Sequence, residues 1–197
     1  ADSQLGLIAV RTSDGSLLWK TALADLARSL PTIPMGLAAD EGSIYVASGA
    51  GTLFSLDRNG GALRWAATYP RMKSGAAMDR RAVMMEGTAS QRTHVVLDEN
   101  FVRREGGAVI VAACDSDHVM AFDVTDGSLR WDSPLPSTVI SGSPGYVVGM
   151  SSGQLVLGNN RWMWGIHTRG GRMAWELSLD SSCGRALIAA DSLLVPQ

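Results

Sequence analysis

The chain has 197 residues, 46% of them apolar and 18% charged, with 22 glycines and a formal net charge of −2. That balance gives no global pull toward nucleic acid, and no apolar run approaches the ~20 residues that a membrane-crossing helix needs. The two cysteines, Cys114 and Cys183, lie far apart and do not decide the redox compartment.

In chain order, LGLIAV and SLLWKT read as two short strands joined by the turn SDGS. MGLAA is a weaker strand. It precedes Ser43–Ala47 (SIYVA), the turn SGAG, Thr52–Asp57, the turn NGG and a last strand over Ala62–Thr68. Residues 69–107 then break the rhythm as an insertion, with THVVL inside it as a weak first strand. The pattern resumes with AVIVAAC, DSD, HVMAFDV, a turn and SLRWDS. GYVVG, QLVLG, NNR, WMWGIHT, a turn and RMAWELSL follow, and RALIAADSLLVPQ reads as two more strands. These are strand-length runs rich in Val, Ile and Leu, broken by turn residues. Cys114 ends one of them and reads as a buried small hydrophobe.

Four stretches share one spacing: AVRTSDGSLLW, SLDRNGGALRW, AFDVTDGSLRW and GIHTRGGRMAW. They end at Trp19, Trp65, Trp131 and Trp175, each preceded by four positions by Gly15, Gly61, Gly127 or Gly171. Ten positions before each tryptophan stands a small residue (Ala9, Ser55, Ala121, Gly165). The tryptophans are 46, 66 and 44 residues apart, so one repeat carries the insertion. Self-similarity at this period marks a repeat architecture, and four antiparallel strands per repeat make a propeller blade. The expected fold is all-β: about four blades' worth of one β-propeller domain over residues 1–197. The indole is expected to cover ~150–250 Å² of contact between blades, with the small residue and the glycine leaving it room against backbone.

The small-x-Asp-x-x-x-Gly-x-x-x-Trp pattern resembles the tryptophan-docking motif of PQQ-like β-propeller repeats. That superfamily includes quinoprotein alcohol dehydrogenases and non-catalytic propellers such as the lipoprotein subunit of the bacterial outer-membrane assembly machinery. The motif aspartate stands at Asp57 and Asp123 and is replaced by Arg11 and His167 in the outer copies. The resemblance implies a fragment of a seven- or eight-bladed ring in the periplasm or cell envelope. Combination of the terminal strands into one blade of a four-bladed ring is the alternative.

In propellers of this kind the loops between second and third strands and the blade connections share one face. Its members here are Ser48–Gly51, Asp115–Asp117 and Asn159–Arg161. The insertion joins them with Arg71, Lys73, Arg80, Arg81 and Arg92 among Met72, Met78, Met84 and Met85. The candidate binding face is therefore Arg71, Lys73, Arg80, Arg81, Asp115, Asp117, Asn159, Asn160 and Arg161. A basic, methionine-studded surface suits an anionic group or a partner's apolar side chain; the alternative is a solvated loop. Asp115 and Asp117 are too few carboxylates for calcium, which takes ~6–8 oxygens, so CDSDH reads as a polar turn. His94, His118 and His167 lack partners at metal-ligand spacing. Trp162 and Trp164 share a strand face, as inter-blade packing or as a stacking platform.

Two functions follow. The first is a non-catalytic scaffold that binds a protein or small ligand on its loop face, with no cofactor, no nucleic acid and no metal. The second, implied by the resemblance, is a PQQ-dependent dehydrogenase with calcium. The chain has no adjacent cysteines, and Asn159 and Asn160 are its only adjacent asparagines.

Overall fold

The computed structural model describes residues 4–25, 35–72, 97–136 and 145–196. Among these residues all regular structure is β. β1 (Gln4–Val10) pairs with β2 (Leu17–Asp25) as a two-stranded sheet. β3 (Gly36–Ala39), β4 (Ser43–Ala47), β5 (Thr52–Asp57) and β6 (Leu63–Thr68) form the first four-stranded sheet. β7 (Phe101–Glu105), β8 (Ala108–Ala112), β9 (His118–Asp123) and β10 (Leu129–Pro134) form the second. β11 (Tyr146–Ser151), β12 (Gln154–Gly158), β13 (Trp162–His167) and β14 (Met173–Ser178) form the third. β15 (Leu187–Ala189) and β16 (Ser192–Leu194) close the series as a second two-stranded sheet. Each is an antiparallel meander, the blade of a propeller.

The second and third strands of each full sheet are buried nearly end to end, as in AVIVA of β8. Sheets stack on both sides of them, so they read as continuous apolar runs rather than as an alternation. The fourth strands keep a mixed pattern, since they lie at the rim. Two apolar clusters span blade boundaries: Tyr45, Leu53 and Trp65 with Val109, Val111 and Met120, and Ile110, Ala112 and Ala121 with Leu155, Leu157 and Trp164.

One strand departs from expectation. The first strand of the second full blade is β7, FVRRE, not THVVL. Of THVVL only Leu97 is among the described residues, where it is buried and makes an isolated parallel bridge to Gly145. Residues 101–105 of the expected insertion therefore belong to a blade. An innermost strand needs few apolar residues: Val102 is buried, while Arg103, Arg104 and Glu105 are exposed.

The repeated spacing has two separate causes. The small residue is the cross-strand partner of its own tryptophan: Ala9 opposite Trp19, Ser55 opposite Trp65, Ala121 opposite Trp131, Gly165 opposite Trp175. The glycine that an indole meets, however, belongs to the following repeat. A Cβ on Gly61 would lie 2.6 Å from Trp19 Cε3, and on Gly127 or Gly171 2.5 Å from Cε3 of Trp65 or Trp131. All three glycines have φ near +70°, so the site excludes a side chain on both conformational and steric grounds. The indole N–H groups of Trp19, Trp65 and Trp131 then donate to the carbonyls of Arg58, Val124 and Thr168, at 3.0–3.1 Å.

The motif aspartate braces this turn. Asp123 accepts from the Thr125 amide through Oδ1 and from Arg130 through Oδ2, and Asp57 holds the Asn59 and Gly60 amides and Arg64 in the same way. The Arg130 hydrogen bond, then the Thr125 amide, hold the Asp123 carboxyl down to about 2. A lowered value stabilises the fold above the ordinary 3.8 and loses that contribution as pH falls toward about 2. Carboxyl NMR titration is expected to place Asp123 near 2 and to move it up toward 3.8 in Arg130→Ala; a titration unchanged by that substitution would contradict the assignment.

Candidate binding face

Because the strands of a blade alternate in direction, the loops between second and third strands and the exits from fourth strands emerge at one end. One hydrogen bond recurs there in each full blade. The residue four past the tryptophan donates its amide to the last residue of the loop: Tyr69 to Gly51, Leu135 to Asp117, Leu179 to Arg161, at 3.0, 2.7 and 2.8 Å.

Each loop is shaped by a buried polar side chain. Ser48 Oγ accepts from the Ala50 and Thr52 amides at 3.0 and 3.2 Å. Asn159 Oδ1 accepts from the Arg161 and Trp162 amides, both at 2.8 Å. Asp115 reaches outside its loop: Tyr69 Oη donates to its Oδ1 at 3.0 Å, and its carbonyl accepts the Met72 amide at 2.9 Å. Arg71 Nε stands 3.3 Å from Asp115 Oδ2, an ion pair without hydrogen-bond geometry. Arg71 also lies over Gly51, where a Cβ would meet its Cδ at 2.5 Å. The chain leaving one blade is thus latched onto the next.

Of the candidate residues, Arg71 and Asp115 are brought together in that latch. Asp117 Oδ1 lies 2.8 Å from His118 Nδ1. Asn160 packs beside Cys183, whose amide donates to the Asn160 carbonyl at 2.9 Å, and Asn160 Oδ1 is buried without a donor. Arg161 remains exposed on the face. Lys73, Arg80, Arg81, Arg92, Met78, Met84, Met85 and His94 lie outside the described residues. Cys114 and Cys183 are not joined by a disulfide; Cys114 is half-buried, and burial raises the pKa of the Cys183 thiol. Trp164 is buried, with its N–H donating to Glu176 at 3.2 Å, and Trp162 packs on the same cluster.

Sequence reading did not anticipate the Tyr69–Asp115 bond, whose partners stand 46 positions apart. Nor did it anticipate a cleft of about 630 Å³ at the opposite end, lined by Asp40, Ser43, Tyr45, Arg64, Arg104 and Thr125. Its two arginines are already paired, Arg104 with Asp40 at 3.1 Å and Arg64 with Asp57 at 2.7 Å. Among the described residues no three of His, Cys, Asp and Glu converge as a metal site, and no helix is long and apolar enough to cross a membrane.

The family model of the outer membrane protein assembly factor BamB, a PQQ-type repeat model, matches residues 3–192. The chain belongs to the BamB-type PQQ-like propeller family. BamB from Moraxella catarrhalis superposes with a TM-score of 0.57 at 19% identity, over 95% of this chain and 51% of that one. Sqt1 from Saccharomyces cerevisiae gives 0.59 at 13% identity, over 94% and 47%. The quinohemoprotein alcohol dehydrogenase ADHIIG from Pseudomonas putida HK5 gives 0.52 at 18% identity, over 83% and 22%. The chain thus spans about half the length of BamB or Sqt1. No curated protein matches it in sequence. At these identities the structural likenesses establish the β-propeller fold, which hosts both binding modules and quinoprotein enzymes.

The described residues of this BamB-type chain do not fit a calcium-held quinone. Calcium takes ~6–8 oxygens, yet Asp115 is committed to Tyr69 and Arg71, and Asn159 Oδ1 to two amides.

Proposed function

We propose that the chain is a non-catalytic binding scaffold of the bacterial cell envelope that serves outer membrane protein assembly. It would engage a protein partner through the face built from Ser48–Gly51, Asp115–Asp117, Asn159–Arg161 and the segment after Tyr69, without a quinone cofactor. The observation that carries this reading is the BamB family match across residues 3–192. Two features support it. Stacked sheets present loops at fixed spacing, as repeat folds do when they serve as binding surfaces. Ser48 and Asn159 are engaged in holding loop shape, and Asp115 in the contact with Tyr69.

The test is binding of the purified chain to the detergent-solubilised outer membrane assembly machinery. Arg161→Glu, on the loop face, is expected to weaken binding at least tenfold, whereas Arg172→Glu, in a turn at the opposite end, leaves it unchanged. Equal effects of the two would sink the assignment of the face. A parallel titration with PQQ and calcium is expected to give no bound-quinone spectrum and no alcohol-dependent dye reduction; either signal would favour the dehydrogenase.

A further inference from the structure

The cleft of about 630 Å³ at the turn end lies between the first and second full blades, away from either end of the array. There the chain departs from its own repeat. Cross-strand register places Tyr45, Ile110 and Val156 at one position, opposite the small residues Ser55, Ala121 and Gly165. The same register places Ala39, Arg104 and Met150 at one position of the innermost strands, opposite Ile44, Val109 and Leu155. Apolar side chains therefore satisfy the blade at both positions, and Tyr45 and Arg104 are polar exceptions to it.

The two exceptions meet at one carboxylate. Tyr45 is buried, and its Oη donates to Asp40 Oδ2 at 3.0 Å. Asp40 Oδ1 accepts the Gly42 and Ser43 amides at 2.9 and 2.7 Å. Three donors thus fix the Asp40 carboxylate, which holds Arg104 Nε 3.1 Å from Oδ2. In the same lining Arg64 Nη2 donates to Asp57 Oδ2 at 2.7 Å. Both arginine side chains are 46% exposed. Each guanidinium is anchored at one edge and open at the other. Val124 adds an apolar wall to the cleft, and Glu41, also in the lining, is exposed.

We propose that this cleft binds a carboxylate group through the open edge of Arg104, with Arg64 as the second cation of the lining. A guanidinium fork matches a planar carboxylate with two parallel hydrogen bonds. Anchoring by Asp40 and Asp57 orients the forks before the ligand arrives, which removes part of the ordering cost of binding. The same two carboxylates offset the arginine charges, and Glu41 opposes further negative charge. A monoanion that binds by geometry therefore fits better than a doubly charged phosphate. The carboxylate can belong to a peptide chain end or to a small organic acid. The cleft lies at the end opposite the loop face, so the inference does not depend on the proposed scaffold function.

The test is NMR of the arginine Nε–H groups of the 197-residue chain, titrated with N-acetyl-alanyl-alanine, its C-terminal amide, acetate and inorganic phosphate. The peptide acid is expected to shift Arg104 and Arg64 and to leave Arg130, the counterpart of Arg64 in the next blade, in place. The amide should shift none of them. Arg104→Met installs the residue type that the following blade carries as Met150. It should raise the dissociation constant of the peptide acid roughly tenfold or more, the worth of a charge-assisted hydrogen bond. Its urea midpoint should stay close to the parent's, because a half-exposed ion pair adds little stability. Acetate bound as tightly as the peptide acid would uphold the site as one for small acids, and weaker acetate binding would uphold it as one for a peptide chain end. Shifts shared equally by Arg130, equal binding of acid and amide, tighter binding of phosphate than of either carboxylate, or a dissociation constant unmoved by Arg104→Met would each overturn the proposal.

Discussion

Replacing Trp65 with alanine is expected to lower the unfolding free energy by ~3–5 kcal/mol, the range for truncating a large buried aromatic. The indole is buried although it sits on a rim strand, because the next blade covers it. It packs beside Tyr45, with ring centroids 6.1 Å apart, and joins a cluster that includes Val109, Met120 and Phe122 of the following sheet. Truncation leaves a cavity at a joint between two sheets, which cannot collapse without moving a blade. It also removes the donor from the Val124 carbonyl, 3.0 Å away. Trp65→Phe separates the two terms, since it keeps much of the volume and forfeits only a bond worth roughly 0.5–1.5 kcal/mol. Gly127→Val attacks the dock from the other side, because its new Cβ would fall 2.5 Å from Trp65 Cε3 at a φ of +75°. Urea unfolding followed by far-UV circular dichroism checks all three, and an unchanged midpoint for Trp65→Ala would remove the indole from its structural role.

That dock also shows which features the sequence made legible. The strand–turn–strand unit was readable because its signals are local: the turn glycine, the indole four residues on, and the small residue opposite it all lie within eleven positions. The turn on which the indole docks was not, because Gly61 is 42 positions after Trp19 and belongs to another sheet. The own-repeat glycine has the right offset because it receives the preceding blade's indole, and offset alone does not reveal that displacement. β7 was missed for a different reason. FVRRE lies innermost and carries three charged residues in a row, whereas THVVL nearby has the apolar look of a strand. On the loop face, Asp115 read as a turn residue because nothing in CDSDH points to a tyrosine 46 positions earlier. The basic side chains of the insertion were visible as composition, but the described ion pairs among them, Arg71 with Asp115 and Arg104 with Asp40, are made to carboxylates of the fold itself.

Asp115→Ala is expected to cost about 2–4 kcal/mol, since it strands a buried hydroxyl and removes a hydrogen bond to a charged acceptor. Tyr69 Oη lies in the core with Asp115 Oδ1 as its acceptor at 3.0 Å, and both residues are buried. Arg71 is half-exposed and can turn to water, so losing the ion pair itself adds little. Asp115→Asn keeps an oxygen for Tyr69 and should therefore cost clearly less than the alanine variant. If the two substitutions prove equal, the carboxylate's charge rather than its acceptor holds the latch. The tyrosine offers a second reading of the same contact. Burial first, and the Asp115 charge next, raise the Tyr69 phenol far above its ordinary 10.0. A raised value means the folded state keeps a proton that the unfolded chain releases, so this contribution is present below pH 10 and falls as pH rises beyond it. Tyr69→Phe should accordingly lose stability less steeply than the parent chain above pH 10, although it starts lower at neutral pH. Parallel curves across that range would mean that Tyr69 is not held neutral by this carboxylate, and the latch between the two blades would have to rest on the Met72 amide and the Gly51 carbonyl alone.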